Sequence, residues 1–420
     1  MAISLFSSGV HVETPFIIAT IGDYSFGVFD RKSRNIVDES GYSRKVTTLY
    51  PNFTESLTAT KLNGEVNSYT LVLRYAVKPG DDPNLIDRIL GTVSQTRKIV
   101  LSYGDYSSPT FIYKEETATI TEVTQDFDFR SSCITYNINC VSDSVALTAG
   151  TYFFGKRVAK PSEVIEEILY DTRYGLLDVY YGMRDHALVK QKGLIASDDK
   201  QVTIEAQSNI NILDYLKYLI SCMTSQSSIS DSELVQGNKY IMTMYDDYTG
   251  VFGGPYFKIQ RVARNIQETN SVDIYTVDVG FPLNSNVVSF TIDNNQTYSI
   301  LYNYSQKIGQ SEYNYRINDK GQMDIIYSPT LSRTSEFYRT TETDKTWWTK
   351  MTQYPITAKL TIKGLLKPAI LMTYLKVNVF FYGRKHVSSG TYIITSQVDT
   401  VGVGGYRTQL SLTRIAGDEG

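Results

Sequence analysis

"TATKLNGEVNSYTLVLRYAV", residues Thr58 to Val77, decides how this chain is read. Asn63 and Gly64 both tolerate positive φ, as the two central positions of a type I′ turn require, so a tight hairpin is predicted there. Beyond the turn, Tyr69, Leu71, Leu73, Tyr75 and Val77 share one side of an extended chain, and Ser68, Thr70, Val72 and Arg74 share the other. A period of two with one apolar side is the pattern of a half-buried strand. It recurs at Ile134, Tyr136 and Ile138, at Ile356, Ala358, Leu360 and Ile362, and at Leu375, Val377, Val379 and Phe381. The final strand carries Leu410 and Leu412, with Arg414 continuing their parity. The chain therefore reads as mainly β.

At 420 residues it is too long for one ordinary core. Three parts are expected. Residues 1–150 are a first β module. Its one good helix is "DPNLIDRILG", with Asp82 as N-cap, Pro83 at the first helical position, Gly91 at the close and a stripe of Leu85, Ile86, Ile89 and Leu90. Residues 151–285 are an α+β middle segment. Val164, Ile165, Ile168 and Leu169 mark one helical face, and Ile212, Leu213, Leu216, Ile220 and Met223 another. A Ser-rich loop at 224–232 precedes strands at 240–245 and 256–262. Residues 286–420 are a second β module with a polar excursion around 330–350 that holds Trp347 and Trp348. A weak internal repeat links the two β modules. The stretch from Thr117 overlies that from Thr391 at an offset of about 274 residues, matching Ile120 to Ile394, Thr121 to Thr395, Tyr136 to Leu410 and Ile138 to Leu412.

The residues show little chemistry. A net charge of −3 gives no basic excess for nucleic-acid binding. The 33 tyrosines suit strands and large interfaces alike. Cys133, Cys140 and Cys222 are odd in number and scattered, so reduced thiols are expected, with Cys133 and Cys140 on opposite faces of one strand. His11, His186 and His386 have no metal-ligand spacing around them. Asp81-Asp82, Asp198-Asp199 and Asp246-Asp247 read as solvated turns, and "GVGGYR" at 402–407 as a hairpin turn rather than a phosphate loop. No catalytic, cofactor-binding or metal-ligating residue is singled out. No positive charge precedes Arg31, so no signal peptide is expected, and no segment is apolar enough to span a bilayer.

Taken together, "PNFTESLTATKLNGEVNSYTLVLRYAV", "DDPNLIDRILG" and "RKIVLSYGD" resemble the opening of baseplate or tail hub proteins of long-tailed bacteriophages and related contractile injection machines. The end of the chain, with Gly390, Tyr392, Tyr406, Thr408, Leu410, Leu412 and Arg414, is similar to the end of those hubs, and the helices at 161–169 and 212–223 to their middle. Residues 300–350 fall outside the resemblance. It implies two tail-tube-like β-barrel or sandwich modules per chain. It implies a homotrimer of pseudo-sixfold symmetry that adapts a hexameric tail tube to a trimeric central spike and forms part of the DNA exit channel. The implied partners are further copies of the chain, the tail tube or distal tail protein, the central spike, the tape measure protein and baseplate wedge proteins. The implied place is the virion tail, after assembly in the host cytoplasm. No enzyme activity follows from it. With the last strand running close to Gly420, no wall-degrading domain is expected. A receptor- or glycan-binding baseplate protein, with Trp347-Trp348 as its platform, is the alternative. A cell-wall hydrolase with two carboxylates facing one groove is a further one. If the ring surrounds DNA, Glu122, Asp126 and Asp128 are candidates to line the channel.

Overall fold

The computed structural model describes residues 12, 14–22, 24–27, 35–37, 43–45, 47–49, 54–82, 84–91, 98–105, 112–180, 183–223, 239–245, 255–262, 273–280, 286–294, 313–317, 323–327, 356–366 and 370–417. The chain opens with β1 (Pro15–Ile21) and β2 (Tyr24–Gly27), then β3 (Thr54–Leu62), β4 (Ser68–Ala76), α1 (Leu85–Leu90), β5 (Lys98–Asp105), β6 (Ile112–Asp128) and β7 (Cys133–Ser142). In space the order is β3-β4-β7-β6-β5-β1-β2. β4 buries Tyr69, Leu71, Leu73 and Tyr75 and exposes Ser68, Thr70 and Arg74, because successive side chains leave a strand on opposite faces. β7 matches it, with Leu73 opposite Tyr136 and Leu71 opposite Ile138. Cys133 and Cys140 lie on opposite faces of β7, as their spacing predicts. α1 lays Ile86, Ile89 and Leu90 on the same core.

Two local expectations need correction. The turn after β3 is not type I′. Gly64 has φ of 71° while Asn63 is not among the residues of positive φ, and the Glu65 N–H donates to the Leu62 carbonyl at 3.2 Å. One left-handed residue at the third position is the type II arrangement. Its cause is that Leu62 pairs with Ser396 and not with β4, whose last partnership is Ser68 with Thr60. The connection therefore runs wide. Nor is Asp82 the N-cap. α1 starts after Asn84, and Asp82 acts from two residues back, accepting the Asn84 N–H at 3.0 Å and pairing with Arg88. Gly91 closes the helix in the left-handed region as predicted, at φ of 63°. Pro83 lies outside the described residues.

The middle of the chain holds α2 (Pro161–Tyr170), α3 (Ile212–Cys222), β8 (Lys239–Tyr245) and β9 (Tyr256–Val262). The predicted apolar faces of both helices are inside, with Ile220 half-buried. Two ribbons of two short strands were not foreseen: Tyr152–Phe154 with Gln207–Ile210, and Arg157–Ala159 with Val202–Ile204. Strands of three or four residues are too short to show a period. The Ser-rich stretch and Trp347-Trp348 lie outside the described residues.

The last strands are β10 (Asp273–Val279), β11 (Val287–Asn294), β12 (Ile356–Lys363), β13 (Tyr374–Phe381), β14 (Gly390–Gly402) and β15 (Gly405–Gly417). Their order is β11-β12-β15-β14, with β13 along the first part of β14 and β10 parallel to β13. This core is continuous with that of the middle helices. Arg414 is buried on the Leu410–Leu412 face, where its guanidinium donates to the carbonyls of Val387 and Ser389, each at 2.9 Å.

The two sets, β3-β4-β7-β6-β5 and β11-β12-β15-β14-β13, have the same order and share two irregularities. The β6–β7 ladder steps past Thr121, and the β14–β15 ladder steps past Thr395. The β3–β4 ladder steps past Glu55, and the β11–β12 ladder past Val288. The sequence repeat pairs Thr121 with Thr395, and the bulges agree. On the second strand the alignment shifts by two residues, so that Ile138 stands where Leu410 does and Cys140 where Leu412 does. The turns explain it: residues 129–132 join Asp128 to Cys133, whereas only Val403 and Gly404 separate Gly402 from Gly405. A shift of two keeps every side chain on its face.

The sets meet edge to edge. Ser396–Gly402 of β14 pairs antiparallel with Leu62–Ser56 of β3, making one fifteen-stranded sheet.

Candidate functional site

One face of this sheet is turned to the two cores; the other is polar along the central strands, while at β13 and β14 it carries Tyr374 and Ile393, which meet Ile241 and Met372 in a small third cluster. A single row can be followed across seven strands on that polar face: Lys363, Arg407, Thr400, Thr58, Thr70, Asn139 and Glu122, each opposite the next. Side-chain hydrogen bonds stitch its far end. The Thr70 hydroxyl donates to Asn139 Oδ1 at 3.2 Å, and Asn139 Nδ2 donates to Glu122 at 3.1 Å. The face carries exposed cations at Arg74, Lys359, Lys363 and Arg407 and exposed carboxylates at Glu122, Asp126, Asp128 and Asp293. Exposed Lys98 and Lys385 share that parity, so cations and carboxylates both line the face, and neither sign runs continuously along the seven-strand row to make a basic stripe for a phosphate backbone.

Glu122, Asp126 and Asp128 do share one exposed parity of β6, at the rim of the sheet. Asp128 also has a structural task. Its carboxylate accepts the Ser131 hydroxyl at 2.5 Å and then the Arg130 N–H at 2.9 Å, which hold its pKa below the usual carboxylate value and fasten the β6–β7 turn. Phe129 at the tip of that turn is 92% exposed, and Val403 at the tip of the equivalent turn is 95% exposed.

Behind the seam of β14 and β3 lies a buried ionic cluster that a motif search does not find. Asp399 accepts from Lys114 at 2.8 Å, from Thr408 at 2.6 Å and from Gln397 at 2.7 Å. Lys61 pairs with Glu116, which also accepts the Tyr103 hydroxyl at 3.1 Å. Burial, then the neighbouring carboxylates, push the Tyr103 and Tyr406 phenols well up, so both stay protonated. The signal was in the sequence: Lys61 shares the parity of Leu57 and Ala59, Glu116 that of Ala118, and Asp399 that of Val401. Opposite charges on inward parity, in strands distant along the chain, mark a buried pair.

The remaining candidates resolve into structural roles. Asp81 accepts from the Tyr75 hydroxyl and the Lys78 N–H. Asp198 accepts the Tyr240 hydroxyl at 2.6 Å. Asp199 is not a solvated turn. It is fully buried and accepts the Ser162 N–H at 2.9 Å and its hydroxyl at 2.6 Å, capping α2, whose own N-cap residue Lys160 makes no side-chain cap bond. Asp246-Asp247 and His11 lie outside the described residues. His186 lies 3.5 Å from Glu166, and His386 bonds Ser388. The "GVGGYR" stretch is the β14–β15 hairpin turn. Among the described residues, no group of three His, Cys, Asp or Glu is placed to hold a metal, and no helix is long and apolar enough to cross a membrane.

A groove of about 320 Å³ lies between the ribbon of Tyr152–Phe154 and α2, and Glu167 and Asp171 line it. Glu167 pairs with Arg157 at 2.6 Å, and Asp171 with Arg173 at 2.5 Å. The Arg173 hydrogen bonds hold Asp171 below the usual carboxylate range, the reverse of what a general acid needs.

No protein-family model and no curated protein matches the sequence. Solved structures do match it along nearly its whole length. The 43 kDa tail protein of prophage MuSo2 from Shewanella oneidensis covers 95% of this chain with 98% of its own, at 11% identity and a TM-score of 0.48. A tail protein from Neisseria meningitidis covers 96% with 97% of its own, at 8% identity and 0.48. An E. coli component of the type VI secretion system, itself described as structurally similar to T4 tail proteins, covers 88% with 76% of its own, at 8% identity and 0.41. Two of these three are described as tail proteins.

Proposed function

We propose that this chain is a structural hub of a phage tail baseplate: a homotrimeric ring of pseudo-sixfold symmetry that adapts a hexameric tail tube to a trimeric central spike. One observation carries the reading. Two strand sets of equal order, with bulges at equivalent places, lie side by side in one sheet. A chain holding two like units matches a sixfold partner as three copies. In this reading residues 1–150 and 286–420 are the tube-like modules and 151–285 the middle segment. β10, which precedes that second cut, goes with the second module because it lies along β13. The polar sheet face, Glu122, Asp126 and Asp128 included, lines the DNA exit channel, and its balance of charge lets DNA pass without being held. The partners are the tail tube or distal tail protein, the spike, the tape measure protein and the wedge proteins. The work is mechanical, not enzymatic, and the place is the virion tail.

The test is native mass spectrometry with negative-stain imaging of the full chain, alone and with tube and spike. A three-fold ring with an open centre and six similar lobes is expected. A monomer or a sixfold ring within assembled tails overturns the reading.

A further inference from the structure

The internal seam predicts a second seam. β14 offers its outer edge after the Thr395 bulge, and β3 fills it. The equivalent edge on β6, Glu122–Asp128 after the Thr121 bulge, pairs only with β7 among the described residues. The equivalent of β3 is β11, which among the described residues ends the sheet and pairs as a strand only with β12. Each set therefore presents one half of a seam whose other half the opposite set has already used.

We infer that β11 of one copy adds antiparallel to the outer edge of β6 of a second copy, in the register of the internal seam. This rests on the ring reading above and supplies its contact. Aligning the bulges, Thr395 with Thr121 and Glu55 with Val288, converts each internal pair into a pair between copies. Val401–Leu57 becomes Phe127–Phe290, and Asp399–Ala59 becomes Gln125–Ile292. On the polar face, Thr400–Thr58 becomes Asp126–Thr291 and Val398–Thr60 becomes Thr124–Asp293.

The side chains fit this occupant. Within the chain, Val401, Leu57 and Ala59 are at most 1% exposed. Their counterparts are apolar and uncovered: Phe127 is 53% exposed, and Phe290 and Ile292 are half-buried on the core-facing parity of an end strand. An open edge with an apolar inner row is a template for strand addition. A second copy is the partner because its β11 stands in the same relation to its own sheet as β3 does. The charged positions of the internal seam have neutral counterparts here, Gln125 for Asp399 and Asn294 for Lys61, so closing this seam buries no ion.

The test is disulfide trapping in the assembled full-length protein under mild oxidation. Thr124→Cys/Asp293→Cys places two exposed residues directly opposite, about 5 Å apart between Cα atoms. The control Asp128→Cys/Asp293→Cys is four residues out of register, roughly 13 Å away. The parent chain, with Cys133, Cys140 and Cys222, sets the background. Covalent dimers and trimers about tenfold above the control are expected, on the strict distance limit for a disulfide. Equal linking in both variants, or none while native mass still reports the oligomer, overturns the register and leaves the ring standing. Absence of any oligomer, alone or in tails, removes the ring reading and this seam with it.

Discussion

Asp399 is fully buried, and three side chains from three places in the chain donate to it. Replacing it with Ala leaves the Lys114 ammonium buried without its partner. Such a loss costs about 3–5 kcal/mol, where a surface pair costs under ~1. We expect Asp399→Ala to lower the free energy of unfolding measured in urea by that amount, and Asp399→Ala/Lys114→Met to regain part of it. A loss under ~1 kcal/mol would mean that water reaches the cluster. Cys140 makes a second claim at this scale. Burial pushes its thiol up to about 12, so at pH 8 almost no thiolate is present. Iodoacetamide should leave Cys140 unmodified in the folded protein and label it in denaturant, as peptide mapping would show. Labelling at an equal rate in both states would place β7 at the surface. The inward charges show what reading one strand at a time leaves out. Lys61 and Asp399 each look like an interruption in an apolar parity, and only the packing of distant strands supplies their partners, Glu116 and Lys114.

At the scale of elements, long strands were legible and short ones were not. β4 and β7 repeat their alternation over nine and ten residues, and one face of each meets a core, so the pattern fixes which face is which. The turn between β3 and β4 was legible as a turn, but not its type, because the type depends on Leu62 leaving β4 for a strand over 300 residues away in sequence. Its glycine still matters. Gly64 has φ of 71°, and a Cβ there would meet nothing nearer than 3.8 Å, so the penalty of a side chain is conformational and not steric crowding. Gly64→Val should destabilise the protein by roughly 1–2 kcal/mol, the cost of a left-handed L-residue. Calorimetry checks this, and Gly64→Asn, which tolerates that region, should lose less. Equal melting of both variants with the parent would remove the left-handed turn.

For the whole molecule, the repeat was legible at the bulged strands and blurred beyond their turns, where two residues fewer join β14 to β15 than join β6 to β7. What the sequence could not show was the edge on which the two sets meet, because every strand of a sheet has two edges and a period of two speaks only of faces. The bulges have one more consequence. In a strand, parity acts as a reading frame, and Thr395 is an extra letter that resets it. Deleting Thr395 takes out that letter and leaves both halves in frame: Ile394 still faces Leu412, Ser396 still faces Ser411, and Gln397, Asp399 and Val401 stay inward. The expected result is a soluble chain with near-parental far-ultraviolet circular dichroism. Adding one residue between Gln397 and Val398 does the opposite, turning Asp399 and Val401 outward and Val398 and Thr400 inward. That scrambles the internal seam, and the expected result is insoluble protein. Matching fates for the deletion and the insertion would show that the frame is set elsewhere.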